Sequence, residues 1–228
     1  MKEFIILTLF PEAFDAYLNI SLLKRAVAKK FIKIKVVNLR DFADNVHGKI
    51  DDRPYGGGAG MVMRVDVIDR ALKKLKLKKG QRNSRIILMT PQGKRFDQKA
   101  AINLSKYNKI TLICGRYEGF DERIYKLVDT EISLGDFVLT GGEIPALAIL
   151  DAVARLAPGV VGKAESLKEE SFSEALLEYP HYTRPEIYKG WRVPKVLLTG
   201  NHGKIAAWRK LEATKRTKKK RPDLLKHA

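Results

Sequence analysis

Hydrophobic and polar positions follow two rhythms along the first two thirds of the chain. Residues 4–10 form an apolar run that reads as a strand, and Pro11 behind it opens a helix, because proline is favoured in a first turn. Ser21 is placed to cap a helix over 22–30. Residues 32–39 alternate apolar side chains with lysines, the period of a half-exposed strand. From Asp66 to Leu77, Val67, Ala71, Leu72 and Leu75 fall on one face of a helix. Residues 85–90 and 109–114 are short β-branched runs that read as strands, with a helix over 97–105 between them. Residues 143–156 are mostly apolar, which predicts a helix buried on more than one side. Strands alternating with helices imply an α/β fold with a mostly parallel sheet.

Near Pro158 the rhythm stops. Residues 159–173 are rich in Gly, Lys, Glu and Ser, with little apolar period. A short helix over 173–178, the loop PHYTRPEIYKGWRVP, a helix over 204–217 and a basic tail follow. The expected organisation is an α/β domain over 1–160, a linker over 161–173 and a small helical domain over 174–228. No internal repeat is present. A chain of 228 residues can bury a core on this plan.

Charge changes the picture more than composition does. Lys and Arg number 44 against 26 acids, a net charge of +18. Such a surplus points first to a polyanionic partner; a heat-adapted surface rich in Lys and Glu is the plainer alternative. The charge is blocked. Residues 73–85 carry seven Lys or Arg and no acid, and residues 204–228 carry ten against Glu212 and Asp223. Residues 127–154 carry five acids and no Lys or Arg. A basic rim around an acidic interior would suit a polyanion outside and a small cation inside. The single cysteine, Cys114, excludes an intrachain disulfide and a thiolate zinc site. No apolar run reaches the ~20 residues of a membrane span, and the first ten residues lack the features of an export signal. A cytoplasmic protein with no membrane partner is expected.

Five segments concentrate glycine: 54–63, 90–96, 114–123, 133–143 and 198–204. Glycine lets a backbone approach a ligand closely, and ligands of open α/β sheets bind beyond the carboxyl ends of strands. Any one such loop is more simply a tight turn, but three in succession at strand ends between 90 and 142 indicate a site. It is neither a phosphate-cradling P-loop nor a dinucleotide fingerprint, since GGGAG lacks the following Gly-Lys-Ser/Thr and no GxGxxG follows the first strand. His47, His181, His202 and His227 show no metal-ligand spacing, and no GxSxG elbow exists. Cys114 could be a nucleophile but reads better as core packing.

TPQG (90–93), CGRYEGFDER (114–123), ISLGDFVLTGGE (132–143), Glu170-Ser171-Phe172 and PHYTRPEIYKGWRVPKVLLTGNH (180–202) occur in this order. Together, and over essentially the whole chain, they resemble the bacterial tRNA (guanine-N1)-methyltransferase (TrmD) family of the SPOUT class. The resemblance implies a deep trefoil knot between about 85 and 158, although knots are otherwise nearly absent from proteins. It implies a homodimer with active sites shared between subunits, S-adenosylmethionine as methyl donor, a divalent ion such as Mg2+, and tRNA as partner. The target would be N1 of the guanine immediately 3′ of the anticodon, position 37. The donor's walls would be Leu88, Thr90, Pro91 and Gly93 from the first loop and Gly115, Tyr117, Glu118 and Gly119 from the second. The third stretch would add Ser133, Leu134, Gly135, Asp136, Phe137, Val138, Leu139, Gly141, Gly142 and Pro145.

Guanine N1 bears a proton, so methylation there calls for a general base, and charge builds on O6 where an arginine can meet it. The resemblance assigns the base to Glu170, where the family carries aspartate; Glu169 lies adjacent. It assigns O6 to Arg155 and places Glu118 near donor and guanine. His181, Tyr182, Arg184 and Trp191 could hold splayed bases. Lys218, Lys219, Lys220 and Arg221 suit phosphate contact. Another SPOUT methyltransferase acting on a ribose hydroxyl, or an RNA-binding module without catalysis, are the competing readings.

Overall fold

The structure, a computed structural model, describes residues 1–44, 48–162, 170–172 and 175–226. The chain divides into two compact units, Met1–Gly162 and Lys163–Ala228.

The first unit is built on five parallel strands: β1 (Lys2–Thr8), β2 (Ile32–Asn38), β5 (Ser84–Arg95), β6 (Lys109–Ile113) and β7 (Thr130–Ser133). They lie in the order β2-β1-β6-β5-β7. Two short strands, β3 (Asp51–Asp52) and β4 (Val62–Met63), pair separately and antiparallel. The helices are α1 (Asp15–Leu18), α2 (Ser21–Ala28), α3 (Val65–Lys74), α4 (Gln98–Leu104) and α5 (Glu143–Ala154).

Parallel sheets need cover on both faces, and the strand sequences supply it. Phe4 and Ile6 of β1, Ile87 and Met89 of β5, and Ile110 and Leu112 of β6 enter one apolar cluster with α2, α4 and α5. Their neighbours Ile5, Leu7, Ile86, Leu88 and Ile113 enter a second cluster with α3. Each such side chain, fully buried, contributes about 1.5–3 kcal/mol over leaving it in water. The expected α/β class with a mostly parallel sheet is what forms.

Element ends follow local chemistry. Asp97 caps α4 by accepting from the Ala100 amide at 2.7 Å. At the other end of that helix, the Lys2 ammonium donates to the carbonyls of Ser105 and Tyr107, a cation meeting the negative end of the helix dipole. Burial holds the Lys2 pKa below its ordinary value. Ser21 does not cap: Ile20 is the capping residue of α2, no side chain bonds there, and Ser21 is already in the helix with φ of 45°. Pro11 starts a 3-10 turn, Pro11–Phe14, before α1 rather than one continuous helix. Along α5, Ala146, Ile149, Leu150, Val153 and Ala154 are buried, whereas Ile144 and Ala148 stand exposed on one side.

The second unit holds a hairpin, β8 (Ile187–Tyr188) with β9 (Trp191–Arg192), and one long helix, α6 (His202–Lys220). The helix runs three residues further than expected, taking in Lys218–Lys220 of the basic tail, and Pro222–Lys226 form a 3-10 turn; α6 is capped at its start by Asn201 accepting from the Lys204 amide at 3.0 Å. Of the helix expected over 173–178, residues 175–178 are not helical, and 173–174 lie outside the described residues. Most of the expected linker, 163–169 with Glu169, lies outside them too, as do His47 and His227.

Candidate active site

Strands β5, β6 and β7 each run into a glycine-bearing loop at the same end of the sheet. In β5 the ladder breaks, for Met89 and Lys94 both pair with Ile132, so Thr90–Gly93 bows out between them. Gly93 closes the bow because only a bare backbone fits there: a Cβ would stand 2.6 Å from the Glu131 carbonyl carbon and collide with the Ile132 nitrogen.

The loop after β6 is stitched to β4. The Glu118 amide donates to Met61 O at 3.0 Å, the Met63 amide to Gly119 O at 2.9 Å, and the Asp121 amide to Met63 O at 3.0 Å. This gives the GGGAG segment its place: Gly60 backs the Glu118 side chain, and a Cβ on it would lie 2.5 Å from Glu118 Cγ. The loop after β7 folds over Ser133, whose hydroxyl donates to Gly135 O at 3.0 Å. It then passes the second loop at backbone distance. The Gly142 amide donates to Gly115 O at 2.8 Å, and a Cβ on Gly142 would be 2.7 Å from Cys114 Cα.

The three loops enclose a cavity of about 240 Å³. Of the expected donor-contacting residues, Thr90, Pro91, Gly115, Tyr117, Glu118 and Gly119 line it, together with Ser133, Leu134, Gly135 and Phe137–Leu139. Gly141, Gly142 and Pro145 complete that set. Three do not line it: Leu88 is buried in the core, Gly93 packs on β7, and Asp136 is exposed. Sequence reasoning missed Met89, Arg116, Phe120, Ile132 and Thr140, which also line it. Phe120 is there because its ring lies 2.7 Å from where a Gly115 Cβ would sit.

Arg116 is the most consequential omission. Its guanidinium pairs with Glu143 at 3.0 Å, donates to Thr140 O at 3.2 Å and lies 4.5 Å from the Phe10 ring centre. Glu143, almost fully buried, also accepts from the Thr8 hydroxyl at 2.8 Å.

The acid-rich stretch does not work as expected, because none of its five acids lines the cavity. Asp129 accepts from the amides of Gly80 and Ile86, Asp151 interacts with Tyr17, and Glu143 sits behind Arg116. Among the described lining residues, Glu118 is the one anion and Arg116 the one cation.

Cys114 is fully buried beneath these loops. Burial first, and the nearby Glu143 carboxylate second, push its thiol well above the ordinary cysteine range, so it is packing and not a nucleophile.

Arg155 is the half-buried C-terminal residue capping α5. In the second unit, Glu170 precedes two residues with hydrogen bonds to the 176–178 segment. The Ser171 hydroxyl accepts from the Glu178 amide at 3.0 Å, and the Phe172 amide donates to Leu176 O at 2.8 Å. Thr217 of α6 accepts from the Leu177 amide at 2.8 Å. His181 bonds Glu178 at 2.7 Å and packs on Tyr179; Tyr182, half exposed, faces Trp208 at 6.4 Å between ring centres. Arg184 is exposed. Trp191 is 72% exposed beside Tyr188 on the hairpin. Lys218, Lys219 and Lys220 are exposed on the last turn of α6, while Arg221 pairs with Asp223 at 2.6 Å.

The family model described as tRNA (Guanine-1)-methyltransferase TrmD matches residues 1–227. The chain is 53% identical over 220 residues to the tRNA (guanine-N(1)-)-methyltransferase of Dictyoglomus turgidum, covering 96% of this chain and 88% of that protein. It is 52% identical over 225 residues to the protein of the same name from Caldanaerobacter subterraneus, covering 99% and 92%. To that of Bacillus subtilis it is 54% identical over 221 residues, covering 96% and 90%.

Proposed function

The chain belongs to the tRNA (guanine-1)-methyltransferase family TrmD, and from that premise we propose that the three-loop cavity holds the methyl donor while Glu170 and Arg155 act on the guanine. The enzyme is a tRNA (guanine-N1)-methyltransferase. Its target base is the guanine 3′ of the anticodon, position 37. The observation that carries the assignment of the site is the convergence of three glycine-bearing strand-end loops on one cavity containing Glu118.

S-adenosylmethionine, when bound, supplies an electrophilic methyl group on a sulfonium. Gly115, Gly135, Gly141 and Gly142 let the loops pack closely enough on one another to form the cavity, and Tyr117, Phe137 and Leu139 offer apolar surface for the adenosyl part of such a ligand. Glu170 would take the N1 proton as the methyl carbon passes from sulfur to N1, leaving neutral S-adenosylhomocysteine, and Arg155 would hydrogen-bond O6 as charge gathers there. Glu118, backed by Gly60 and held at its amide by Met61, fixes one edge of the cavity. Among the described residues, no group of three or more His, Cys, Asp or Glu side chains fits magnesium.

The proposed fold detail is the trefoil knot. It is supported by the passage of the 135–142 loop against Cys114–Gly115 before α5 returns to pack near β1. The proposed assembly is a homodimer that shares its sites. Its support is the exposed side of α5, Ile144 and Ala148, which leads along the helix to Arg155. The proposed tRNA surface is the second unit, read there as a small helical domain, with Tyr182 and Trp191 for bases and Lys218–Lys220 for phosphates. No helix of the described residues is long and apolar enough to cross a membrane.

The test is transfer of a tritiated methyl group to unmodified tRNA transcripts, followed by nucleoside analysis. Label in 1-methylguanosine at position 37 is expected, and label confined to 2′-O-methyl nucleosides would overturn the reading. Loss of donor binding when Gly135 is replaced by valine, with the fold retained, is expected if the cavity is the donor site.

A further inference from the structure

A cavity that takes a cationic donor should not present a naked cation, yet Arg116 lines this one. Its charge cannot be shed, because a guanidinium stays protonated at any working pH. The neighbours are arranged around that problem. Glu143 opens α5 with its side chain only 5% exposed, and it is salt-bridged to Arg116 at 3.0 Å. Thr8, at the end of β1, holds the other carboxylate oxygen at 2.8 Å. Gly141 leaves the space the pair needs, since a Cβ there would come within 2.5 Å of Glu143 Oε2. Arg116 also donates to Thr140 O, so the neutralised pair ties the loop after β6 to the loop after β7.

We propose that Glu143 is a charge-balancing and positioning residue for donor binding: it cancels the Arg116 charge in the cavity wall, so that Arg116 can brace two cavity loops without repelling a sulfonium. This rests on the cavity being the donor site. Glu143 reaches the donor only through Arg116, so its effect is read in binding selectivity and not in chemistry.

S-adenosylmethionine and S-adenosylhomocysteine have nearly the same shape but differ by one positive charge at sulfur. A merely structural lesion weakens both alike; an unbalanced wall charge weakens the sulfonium more. At an effective dielectric of about 20 and a separation of about 10 Å, one uncompensated charge changes affinity by roughly tenfold.

The experiment is calorimetric titration of the full-length protein with each ligand, with circular dichroism melts to check the fold. In Glu143→Gln, affinity for S-adenosylmethionine is expected to fall roughly tenfold more than that for S-adenosylhomocysteine. The double variant Arg116→Gln/Glu143→Gln restores neutrality and is expected to restore the wild-type ratio, even if both affinities fall. Equal losses for the two ligands in Glu143→Gln, or no recovery of the ratio in the double variant, would overturn the proposal. If Glu143→Gln alone does not fold, Arg116→Gln decides: it removes the cation, so a fall in the preference for S-adenosylmethionine there would refute the charge argument. Failure of the wild type to bind either ligand saturably would overturn the cavity reading itself, and this inference with it.

Discussion

Gly142 sits where the third cavity loop crosses the second, and its replacement by alanine separates packing from backbone freedom. Its φ is −82°, a value alanine adopts without strain, so conformation alone predicts no penalty. Space predicts a large one. The new Cβ would lie 2.7 Å from both Cys114 Cα and the Gly115 nitrogen, and 3.1 Å from the Cys114 carbonyl carbon. All three are backbone atoms that cannot swing aside like a side-chain tip. Forcing an extra carbon into packed structure costs about 1–3 kcal/mol. Moving the loop away also loosens the Gly142 to Gly115 hydrogen bond, worth about 0.5–1.5 kcal/mol net. The expected destabilisation is about 2–4 kcal/mol, or a fall in Tm of roughly 4–16 °C for a chain of this size. Thermal unfolding by circular dichroism measures it. Gly162→Ala is the control, because its Cβ would meet nothing within 4 Å and its φ is not positive. Donor should rescue Gly142→Ala less than wild type, since ligand stabilisation follows affinity for the folded cavity. A Tm for Gly142→Ala within 2 °C of Gly162→Ala, using roughly 2–4 °C per kcal/mol, would refute the crossing geometry.

Glu170→Gln should lower methyl transfer by about 10² to 10⁴ with donor affinity nearly unchanged, measured by single-turnover assay and titration; near-normal turnover there with collapse in Glu169→Gln would move the base one residue back. Replacing Lys218, Lys219 and Lys220 by glutamine should weaken tRNA binding and flatten the slope of log affinity against log salt, because fewer counterions are released; donor binding should not change. Arg155→Ala and Glu170→Gln subunits, each nearly inactive, should recover roughly a quarter of wild-type activity when exchanged at equal ratio, because half the dimers are mixed and one of two sites in each escapes both lesions. No recovery after proven exchange would place both residues in one chain's site.

The three cavity loops were legible because glycines accumulate at strand ends, and strand ends show in the apolar runs before them. The pairing of Arg116 with Glu143 was not legible. The two stand 27 positions apart and meet only because one loop passes against another, a relation no local period encodes. The acid count over 127–154 misled for the same reason: composition records which residues are present, not which way they face. Strands β3, β4, β8 and β9 span two residues each, too few to show an alternation. The β8–β9 turn did leave a sign, Lys189-Gly190 between aromatics, with φ of 50° and 83° as a tight two-residue hairpin demands. The end of α6 lies three residues beyond the expected 217: the run of like charge over 218–221 reads as a tail, although Lys favours helix and the first breaker after His202 and Gly203 is Pro222.

The one thiol of the chain, Cys114, lies sealed under the place where two loops touch, with its ionisation suppressed. A thiol reagent can reach it only when that seal opens. The protein therefore carries an intrinsic stopwatch: the rate at which an aromatic disulfide reagent labels the native enzyme reports how often the crossing comes apart, with no engineered probe. Donor in the cavity should slow that clock.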